Sequence, residues 1–344
     1  MKRDSHVLAG RRNQGFSLIE LLVSITIGLV IVVAAGSAYL GASAASKVSD
    51  AQTRMNEDGQ AALNILSQHL RMAGTNPDQS NRDPAFARNP IYASKYVGGE
   101  ETPYGSVALI APVPSLSTFS IRGCDGTFTA TPATATAISA LSCAAGANTL
   151  PDSIAISYEA DRYNTEPIAT GEPTDCIGNK LPSTTAAFPL PAPVGTLSAT
   201  FSVAVNRFYI ATSGSVNAPT LFCKGNGGGT GTSAQPLVEN IEDMQFTYGT
   251  VSTSETLPTA TAAGYLTANG VASETSLAAL PLEDRWGKVL SVRICLLVRS
   301  ESPAAPNAAS AKYDDCQGGR DVTAPDLRLR RAYSTTVVLR NRRF

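Results

Sequence analysis

The residue types that could carry chemistry lie near the N-terminus, in Gly15-Phe-Ser-Leu-Ile-Glu20. A secretory signal is normally cut after its apolar region, at small residues. Here a cut between Gly15 and Phe16 would fall before the apolar region, so the mature chain would keep that region. A carboxylate such as Glu20 costs roughly 2.5–3.5 kcal/mol inside a membrane helix, so it normally has a partner and a purpose. The alternative is a plain signal anchor in which Glu20 reaches out to the membrane interface.

The segment that follows is long enough to cross a membrane. No charge occurs between Leu21 and Ser46, and Phe16 to Leu40 supplies the roughly 20 apolar residues that a spanning helix needs. The positive-inside rule places residues 1–15 in the cytoplasm and the bulk of the chain outside. The basic residues behind this orientation are Lys2, Arg3, Arg11 and Arg12.

The Gly15–Glu20 segment resembles the cleavage motif of type IV prepilins. The resemblance implies that prepilin peptidase cuts after Gly15 and that the new N-terminal residue, Phe16, is N-methylated. It also implies a role for Glu20 in assembly, in which its carboxylate meets the N-terminal amine of a neighbouring subunit and guides that subunit into a growing fibre.

Beyond the membrane segment the chain keeps the spacing of a helix with one apolar face. We therefore expect four parts, which are a cleaved leader at residues 1–15, a transmembrane or fibre-core helix at 16–40, an amphipathic continuation at 41–75 and a head at 76–344. In the continuation, we expect Val48 and Met55 to contact neighbouring subunits, and Leu66 and Leu70 to lie under a sheet. The apolar face consists of Val48, Ala51, Met55, Ala62, Leu63, Leu66, Leu70 and Ala73.

The head shows the two-residue alternation of antiparallel strands with one buried face. The alternating runs are Ile154–Tyr158, Val203–Ile210, Met244–Tyr248, Val289–Val298 and Ala332–Arg340. The fold class is therefore α+β, with a long N-terminal helix packed on an antiparallel β-sheet head. Stretches rich in Ala, Thr, Ser and Gly have little to bury, and we expect surface loops there. They cover residues 129–147, 225–233 and 251–280.

Charge and cysteine content limit the class of protein. The formal net charge is −1, and removing the leader, with four basic residues and one acidic, leaves the mature chain near −4. This is not the balance of a nucleic-acid-binding protein. All six cysteines follow the membrane segment, so they are expected on the oxidising side of the membrane, where disulfides form. Six cysteines allow about 15 pairings. Local closure is the simplest order, and it predicts the bonds Cys124–Cys143, Cys176–Cys223 and Cys295–Cys316.

Other residues that could do chemistry do not form a working set. His69 is the single histidine outside the leader and no Cys-x-x-Cys occurs, so a zinc site or a catalytic triad is hard to build. The glycine run at 225–231 lacks the Gly-Lys-Ser/Thr of a phosphate-binding loop. Asp314, Asp315 and Asp321 could bind calcium, but they lack the EF-hand order, and we favour an exposed acidic loop. We therefore expect no catalytic residue, no cofactor and no metal.

Arginines crowd the C-terminus, at Arg328, Arg330, Arg331, Arg340, Arg342 and Arg343. They could form a docking face for an acidic partner or DNA. We favour a solvated edge strand that charge protects against stray pairing. Trp286, the single tryptophan, is more typical of a core anchor than of a ligand platform.

Several further segments resemble the PilW family of minor pilins, relatives of the GspJ pseudopilins. They are His69–Gly74, Asp175–Gly178, Asn206–Ile210, Leu237–Gly249, Val292–Arg299 and Arg330–Arg342. The resemblance implies a structural minor pilin that helps to initiate pilus assembly and forms part of the tip complex, without enzymatic activity. The alternatives are a minor pseudopilin of a type II secretion system and, from another class, a membrane-anchored periplasmic binding protein or enzyme.

The same resemblance implies partners and a location. The partners are other minor pilins, the major pilin, prepilin peptidase, the inner-membrane assembly platform and a tip adhesin, with no specific nucleic acid. Before assembly the protein is expected to span the inner membrane once, with its head in the periplasm. After assembly it is expected in the extracellular pilus.

Overall fold

The computed structural model describes residues 15–75, 119–129, 138–144, 150–189, 196–212, 217–229, 233–251 and 262–341. The chain divides into two compact units, Met1–Asp50 and Ala51–Phe344. A long helix, α1, covers Leu18–Met72 and contributes to both. Among the described residues of the first unit, α1 is the one element of regular secondary structure. Its large apolar side chains are exposed there.

The second unit contains ten strands among its described residues. They are β1 Ile121–Cys124, β2 Ser153–Ala160, β3 Ser183–Pro189, β4 Thr196–Thr212, β5 Pro219–Lys224, β6 Gln235–Glu239, β7 Ile241–Thr250, β8 Gly264–Leu266, β9 Val289–Arg299 and β10 Arg330–Val338. Two short helices are α2 Ala268–Ser273 and α3 Leu282–Gly287, and 3-10 turns cover Ile138–Ala140, Thr275–Leu277 and Ala308–Ala311.

The strands form two antiparallel sheets. One has the order β1-β2-β4-β5-β6, with β3 also paired to β4, and the other has the order β10-β9-β7-β8. All five alternating runs of the sequence contribute to these sheets, although the last strand ends at Val338, before Arg340. The α+β class with an antiparallel head is confirmed. The alternating sequence pattern did not predict that the strands would form two sheets.

A single apolar core joins both sheets to the last five turns of α1. It includes Leu66 and Leu70 of the helix, Ile154 of β2, Phe208 of β4 and Ile294 of β9, all with exposed fractions of 0%. The alternation of apolar and polar residues along each strand explains this arrangement, because every second side chain then points to the same side.

The stretches that we expected to be surface loops are partly built into the head. Residues 262–280 contain β8 and α2, and Val271 and Leu277 are buried there. In 138–144, Ile138 and Leu141 are buried as well. These segments are mostly Ala, Thr, Ser and Gly, but each also contains a few apolar residues. Burial of those residues is enough to hold each segment on the core.

Candidate functional site

The expected processing site lies in an open position at the start of α1. Gly15, Phe16 and Ser17 precede the first helical residue, Leu18, and all three are exposed. The phenyl ring of Phe16 is 86% exposed, and a Cβ added at Gly15 would meet no atom within 4 Å. The backbone between Gly15 and Phe16 is therefore accessible to a peptidase. The rest of the expected leader, residues 1–14, lies outside the described part of the chain.

Ser17 and Glu20 form a reciprocal cap on the N-terminus of α1. The Glu20 backbone N–H donates to Ser17 Oγ at 3.2 Å, and the Ser17 backbone N–H donates to Glu20 Oε2 at 3.1 Å. Ser17 Oγ also donates to Glu20 Oε2 at 3.2 Å. This is the capping box of the Ser-x-x-Glu pattern, and it satisfies two backbone donors that a helix start otherwise leaves unpaired.

The first part of α1 presents apolar side chains in all directions. Leu18, Val23, Leu29 and Tyr39 are each more than half exposed. By length and composition, α1 is also the one described helix that could cross a membrane. A helix that is apolar all round belongs in lipid or in the core of a bundle.

Within the second unit, α1 is buried along the apolar face that its sequence spacing predicts. Met55, Ala62, Leu63, Leu66 and Leu70 are buried in the core of the head. Our expectation that Met55 contacts neighbouring subunits is wrong, because its side chain is only 2% exposed within its own head. The sequence pattern could not locate the point at which the head begins to cover the helix.

Gly59 lets α1 approach β10 closely. A Cβ at Gly59 would lie 2.8 Å from Cδ2 of Tyr333, so any larger residue would displace the ring. One turn earlier, the Tyr333 hydroxyl donates to Oδ1 of Asn56 at 2.6 Å. This contact joins the helix to the C-terminal strand, and sequence reasoning missed it because the two residues are far apart in the chain.

His69 lies at the end of α1 in a mostly apolar contact. Its ring centroid is 5.0 Å from that of Phe208 and 6.2 Å from that of Tyr158. Nδ2 of Asn206 lies 3.4 Å from Nδ1 of His69 and donates to the Tyr158 hydroxyl at 3.2 Å. Burial lowers the pKa of His69 to about 4. The imidazole is therefore neutral at pH 7, and it packs the helix onto β2 and β4.

Each cysteine is bonded to the partner that local closure predicts. The disulfides are Cys124–Cys143, Cys176–Cys223 and Cys295–Cys316, with sequence separations of 19, 47 and 21 residues. The described residues include no free cysteine.

Two of these disulfides hold loops of the same construction, with the pattern Asp-Cys-x-Gly. In the first loop, Asp175 Oδ1 accepts the backbone N–H groups of Ile177 and Asn179, at 3.0 and 2.9 Å. Its other oxygen, Oδ2, accepts the N–H of Gly227 at 2.9 Å. Gly178 has a φ of +79°, which glycine adopts without strain. The expected flexible glycine run therefore begins as a packed segment against Asp175.

The second loop places the acidic residues that we considered for calcium. Asp315 Oδ1 accepts the N–H groups of Gln317 and Gly319, at 2.9 and 2.7 Å, and Asp314 Oδ1 accepts that of Asp321 at 3.1 Å. These carboxylates bind the backbone of their own loop. Among the residues with a described position, no group of three His, Cys, Asp or Glu side chains could hold a metal ion.

Two aspartates that the sequence did not single out connect the two sheets. Asp152 accepts the N–H of Gly126 at 3.0 Å and that of Phe246, in β7, at 2.8 Å. Asp125 accepts the N–H groups of Ala268 and Asn269, at 2.7 and 3.0 Å, and so anchors α2. Burial raises the pKa of Asp152 to about 7. Their partners are distant in sequence, and no spacing pattern would reveal them.

Two of the C-terminal arginines, Arg328 and Arg330, bond within the head, and Arg342 and Arg343 lie outside the described residues. Arg330 is buried and bonds Glu242 Oε1 at 3.0 Å and Asp326 Oδ1 at 2.7 Å. Arg328 donates to the carbonyl of Ser300 at 2.9 Å. β10 itself is at the end of its sheet, as the edge-strand interpretation expects. The side chains of Arg328 and Arg330 are therefore occupied by partners within the head.

Two family models match the chain. Residues 207–341 match the PilW model, described as type IV pilus-assembly protein W, and residues 10–36 match the prokaryotic N-terminal methylation motif. Among solved structures, a type IV-like pilin from Thermus thermophilus matches at 12% identity, covering 56% of this chain and 78% of its own, with a TM-score of 0.24. No curated protein matches the chain.

A methylation motif that opens an exposed apolar helix, followed by a disulfide-bonded antiparallel head, supports a similarity to the type IV pilin class. The match over residues 207–341, from β4 to beyond β10, is with the PilW family model, and the chain is similar to that family over this part of its length. These matches support a structural role in pilus assembly, in association with the membrane and with other pilus components.

Proposed function

We propose that the chain is a minor pilin that helps to initiate type IV pilus assembly and forms part of the tip complex. The observation that carries the proposal is the N-terminal unit, in which an accessible Gly15–Phe16 bond precedes an apolar helix that is exposed on all sides. Such a helix is costly in water, and burial among other helices or in lipid removes that cost. The PilW match over residues 207–341 supports a minor rather than a major subunit.

In this proposal, prepilin peptidase cuts between Gly15 and Phe16, and Phe16 is then N-methylated. The cut leaves Glu20 in the first helical turn, close to the new amine of its own chain and available to that of a neighbour. A carboxylate and an ammonium group placed together in a low-dielectric helix bundle attract strongly, because little solvent screens them. Glu20 would thus orient an incoming subunit and lose the penalty of an unpaired charge in the membrane.

The proposed partners follow from the same geometry. Other minor pilins and the major pilin would pack against the exposed part of α1, and the inner-membrane assembly platform would extract the subunit from the membrane. The head would lie in the periplasm before assembly and at the pilus tip afterwards, where a tip adhesin could be held. No nucleic acid is involved, and the head acts as a structural part without turnover.

The proposal is tested by deleting the chain while the major pilin is still made. We expect a loss of surface pili, restored by the wild-type chain but not by Gly15→Leu, which prepilin peptidase should leave uncut. Electron microscopy counts the pili, and mass spectrometry of sheared pili should find N-methylated Phe16. Normal piliation in the deletion strain would overturn the proposal. If secretion of exported enzymes fails while pili remain, the chain is a type II pseudopilin instead.

A further inference from the structure

The C-terminal strand β10 ends its sheet on one side. β10 pairs with β9 over nine residues without a register shift, from Arg330 opposite Arg299 to Val338 opposite Ser291. Among the described strands, none pairs with its other side. An edge strand of this kind offers a row of backbone donors and acceptors to another chain.

The hydrogen bonds at its two ends identify which residues face outward. The Leu329 carbonyl accepts the N–H of Ser300 at 2.8 Å, and the Leu339 N–H donates to the carbonyl of Leu290 at 2.8 Å. Bonding to a neighbour alternates along an antiparallel strand, so the odd-numbered residues between these ends bond β9. The N–H and C=O groups of Ala332, Ser334, Thr336 and Val338 therefore point away from the sheet.

The other strands at the ends of the two sheets are poor templates by comparison. β1 has four residues and β8 has three, and β3, which among the described strands pairs only with β4, has seven and ends in a proline, Pro189. β6 contains Pro236, which has no N–H, and its pairing with β5 shifts register between Leu221 and Phe222. Short edges, prolines and bulges are the usual protection against strand addition. The central part of β10, Ala332–Val338, has none of these and carries no charged residue.

The side chains around this edge define the partner that it fits. Ser334, Thr336 and Val338 are exposed and uncharged, while exposed arginines stand at both ends, at Arg331 and Arg340. A second copy of β10 would offer no acidic residue to these arginines, because the strand contains none. An extended segment with an uncharged centre and an acidic residue at each end is complementary.

We propose that the outer edge of β10 receives such an acidic-ended extended segment from another pilin subunit, which adds to the sheet as a further strand. Main-chain hydrogen bonds supply the affinity in strand addition, and the flanking side chains select the partner. This inference rests on the proposed function, since it names the head surface through which the subunit contacts another pilin.

A proline at position 336 tests the backbone contact with little effect on β9. Thr336→Pro removes an N–H that faces outward, and proline is tolerated on an edge strand at such a position. Thr336→Val is the matched control, because it keeps the N–H and loses only the hydroxyl. In detergent extracts of cells that make the full chain, we expect the proline variant to co-isolate about tenfold less partner pilin than wild type. The valine variant should co-isolate as much as wild type.

A photo-crosslinking residue at position 336, in an otherwise unchanged chain, gives a second measurement that does not depend on how the proline variant folds. We expect a covalent adduct with another pilin, whereas the same residue at the 79% exposed Tyr163, far along the chain from β10, should give none. Wild-type recovery with Thr336→Pro, equal losses with both variants, or an adduct with a second copy of this chain would each overturn the inference.

The two proposals fail separately. If deleting the chain abolishes pili but Thr336→Pro leaves both piliation and co-isolation intact, the edge inference is wrong and the minor-pilin function stands. If deletion leaves pili normal, the proposed function fails regardless of what β10 binds.

Discussion

At the scale of single residues, several of the described carboxylates accept backbone N–H groups. Glu20 accepts one at the start of α1, Asp175 and Asp315 close their loops, and Asp152 joins two sheets. A charged acceptor makes a stronger hydrogen bond than a neutral one, and the bond also replaces the water that burial removes. These contacts position backbone segments. Glu20 differs from the other carboxylates because it lies in the apolar part of α1.

The charge of Glu20 can be separated from its capping bond. Glu20→Ala removes both, whereas Glu20→Gln keeps an oxygen that accepts the Ser17 N–H and removes only the charge. We expect both variants to be processed and to fold, and both to enter pili about tenfold less than wild type, because attraction to a neighbouring amine needs the charge. Immunoblots of sheared pili and of membranes measure the two pools. Wild-type incorporation of Glu20→Gln would show that the residue is only a cap.

His69 should make the head less stable in acid. Its pKa is about 4 in the folded state and 6.5 as a free side chain, so the unfolded chain binds the proton more readily between these values. The contribution is fully present above pH 6.5 and is lost as pH falls towards 4, by about 3 kcal/mol in total. His69→Gln, which does not titrate, should therefore lose less stability than wild type over this range.

Urea unfolding at several pH values checks this, with the difference between the two proteins taken at each pH. The comparison matters because the raised pKa of Asp152 has the opposite sign. That group favours the folded state at low pH, and its contribution declines as pH rises towards 7. Since Asp152 is unchanged in both proteins, its effect cancels. A difference that does not vary with pH would contradict the role given to His69.

At the scale of secondary structure, α1 has two environments along one helix. In the first unit it exposes apolar residues on every side, and in the second it buries one face, from Met55 to Leu70, under its own sheets. The apolar side chains of the first part can be buried only by lipid or by other chains. Those of the second part are buried by the head of the same chain. The sheet edges also differ: β6 contains Pro236, whereas β10 has a continuous outer side with which no described strand pairs.

Met55 and Leu66 should both contribute to the stability of the head. Each is buried, so Met55→Ala and Leu66→Ala should each lower the free energy of unfolding by about 2–5 kcal/mol. Gln68→Ala, at an exposed position on the same helix, should change it by less than about 0.5 kcal/mol. The fluorescence of Trp286, the single and buried tryptophan, reports unfolding of the purified chain. If the Met55 variant is as stable as wild type, Met55 does not contribute to the core, and the expectation that it contacts neighbouring subunits would be restored.

At the scale of the whole molecule, the described part of the head contains two sheets that share one core, and local disulfides are added to both. Cys176–Cys223 holds a loop on the larger sheet, and Cys295–Cys316 holds a similar loop on the smaller one. Asp152 and Asp125 then connect elements of both. Such cross-links stabilise the head, because they restrict the unfolded chain.

Removing Cys176–Cys223 should cost more stability than removing Cys295–Cys316. The loops contain 47 and 21 residues, and the chain-entropy model gives about 4 and about 3 kcal/mol. Double alanine variants of each pair, unfolded in urea without reductant, provide the measurement. Peptide mapping without reduction should find the two remaining bonds intact in each variant. A loss below about 1 kcal/mol for either pair would show that the hydrogen bonds of Asp175 or Asp315 already hold that loop.

The amino-acid sequence alone determined the features that depend on neighbouring residues. The Gly15–Glu20 motif, the apolar helix, the face from Met55 to Ala73 and the five alternating runs all follow from spacing over a few residues, because helix and strand periods are local properties. The disulfide pairing was also predicted from the sequence, because each cysteine bonds to the cysteine that is next to it in sequence order.

Only the tertiary structure decided how those elements combine. It showed that the strands form two sheets, that Met55 is covered by the head and that Asp152 holds β7 across a long sequence distance. It also showed that no described strand pairs with the outer side of β10 and that part of the low-complexity sequence is packed on the core. These features depend on contacts between residues far apart in the chain, and a hydrophobic pattern specifies which face is buried but not which partner covers it.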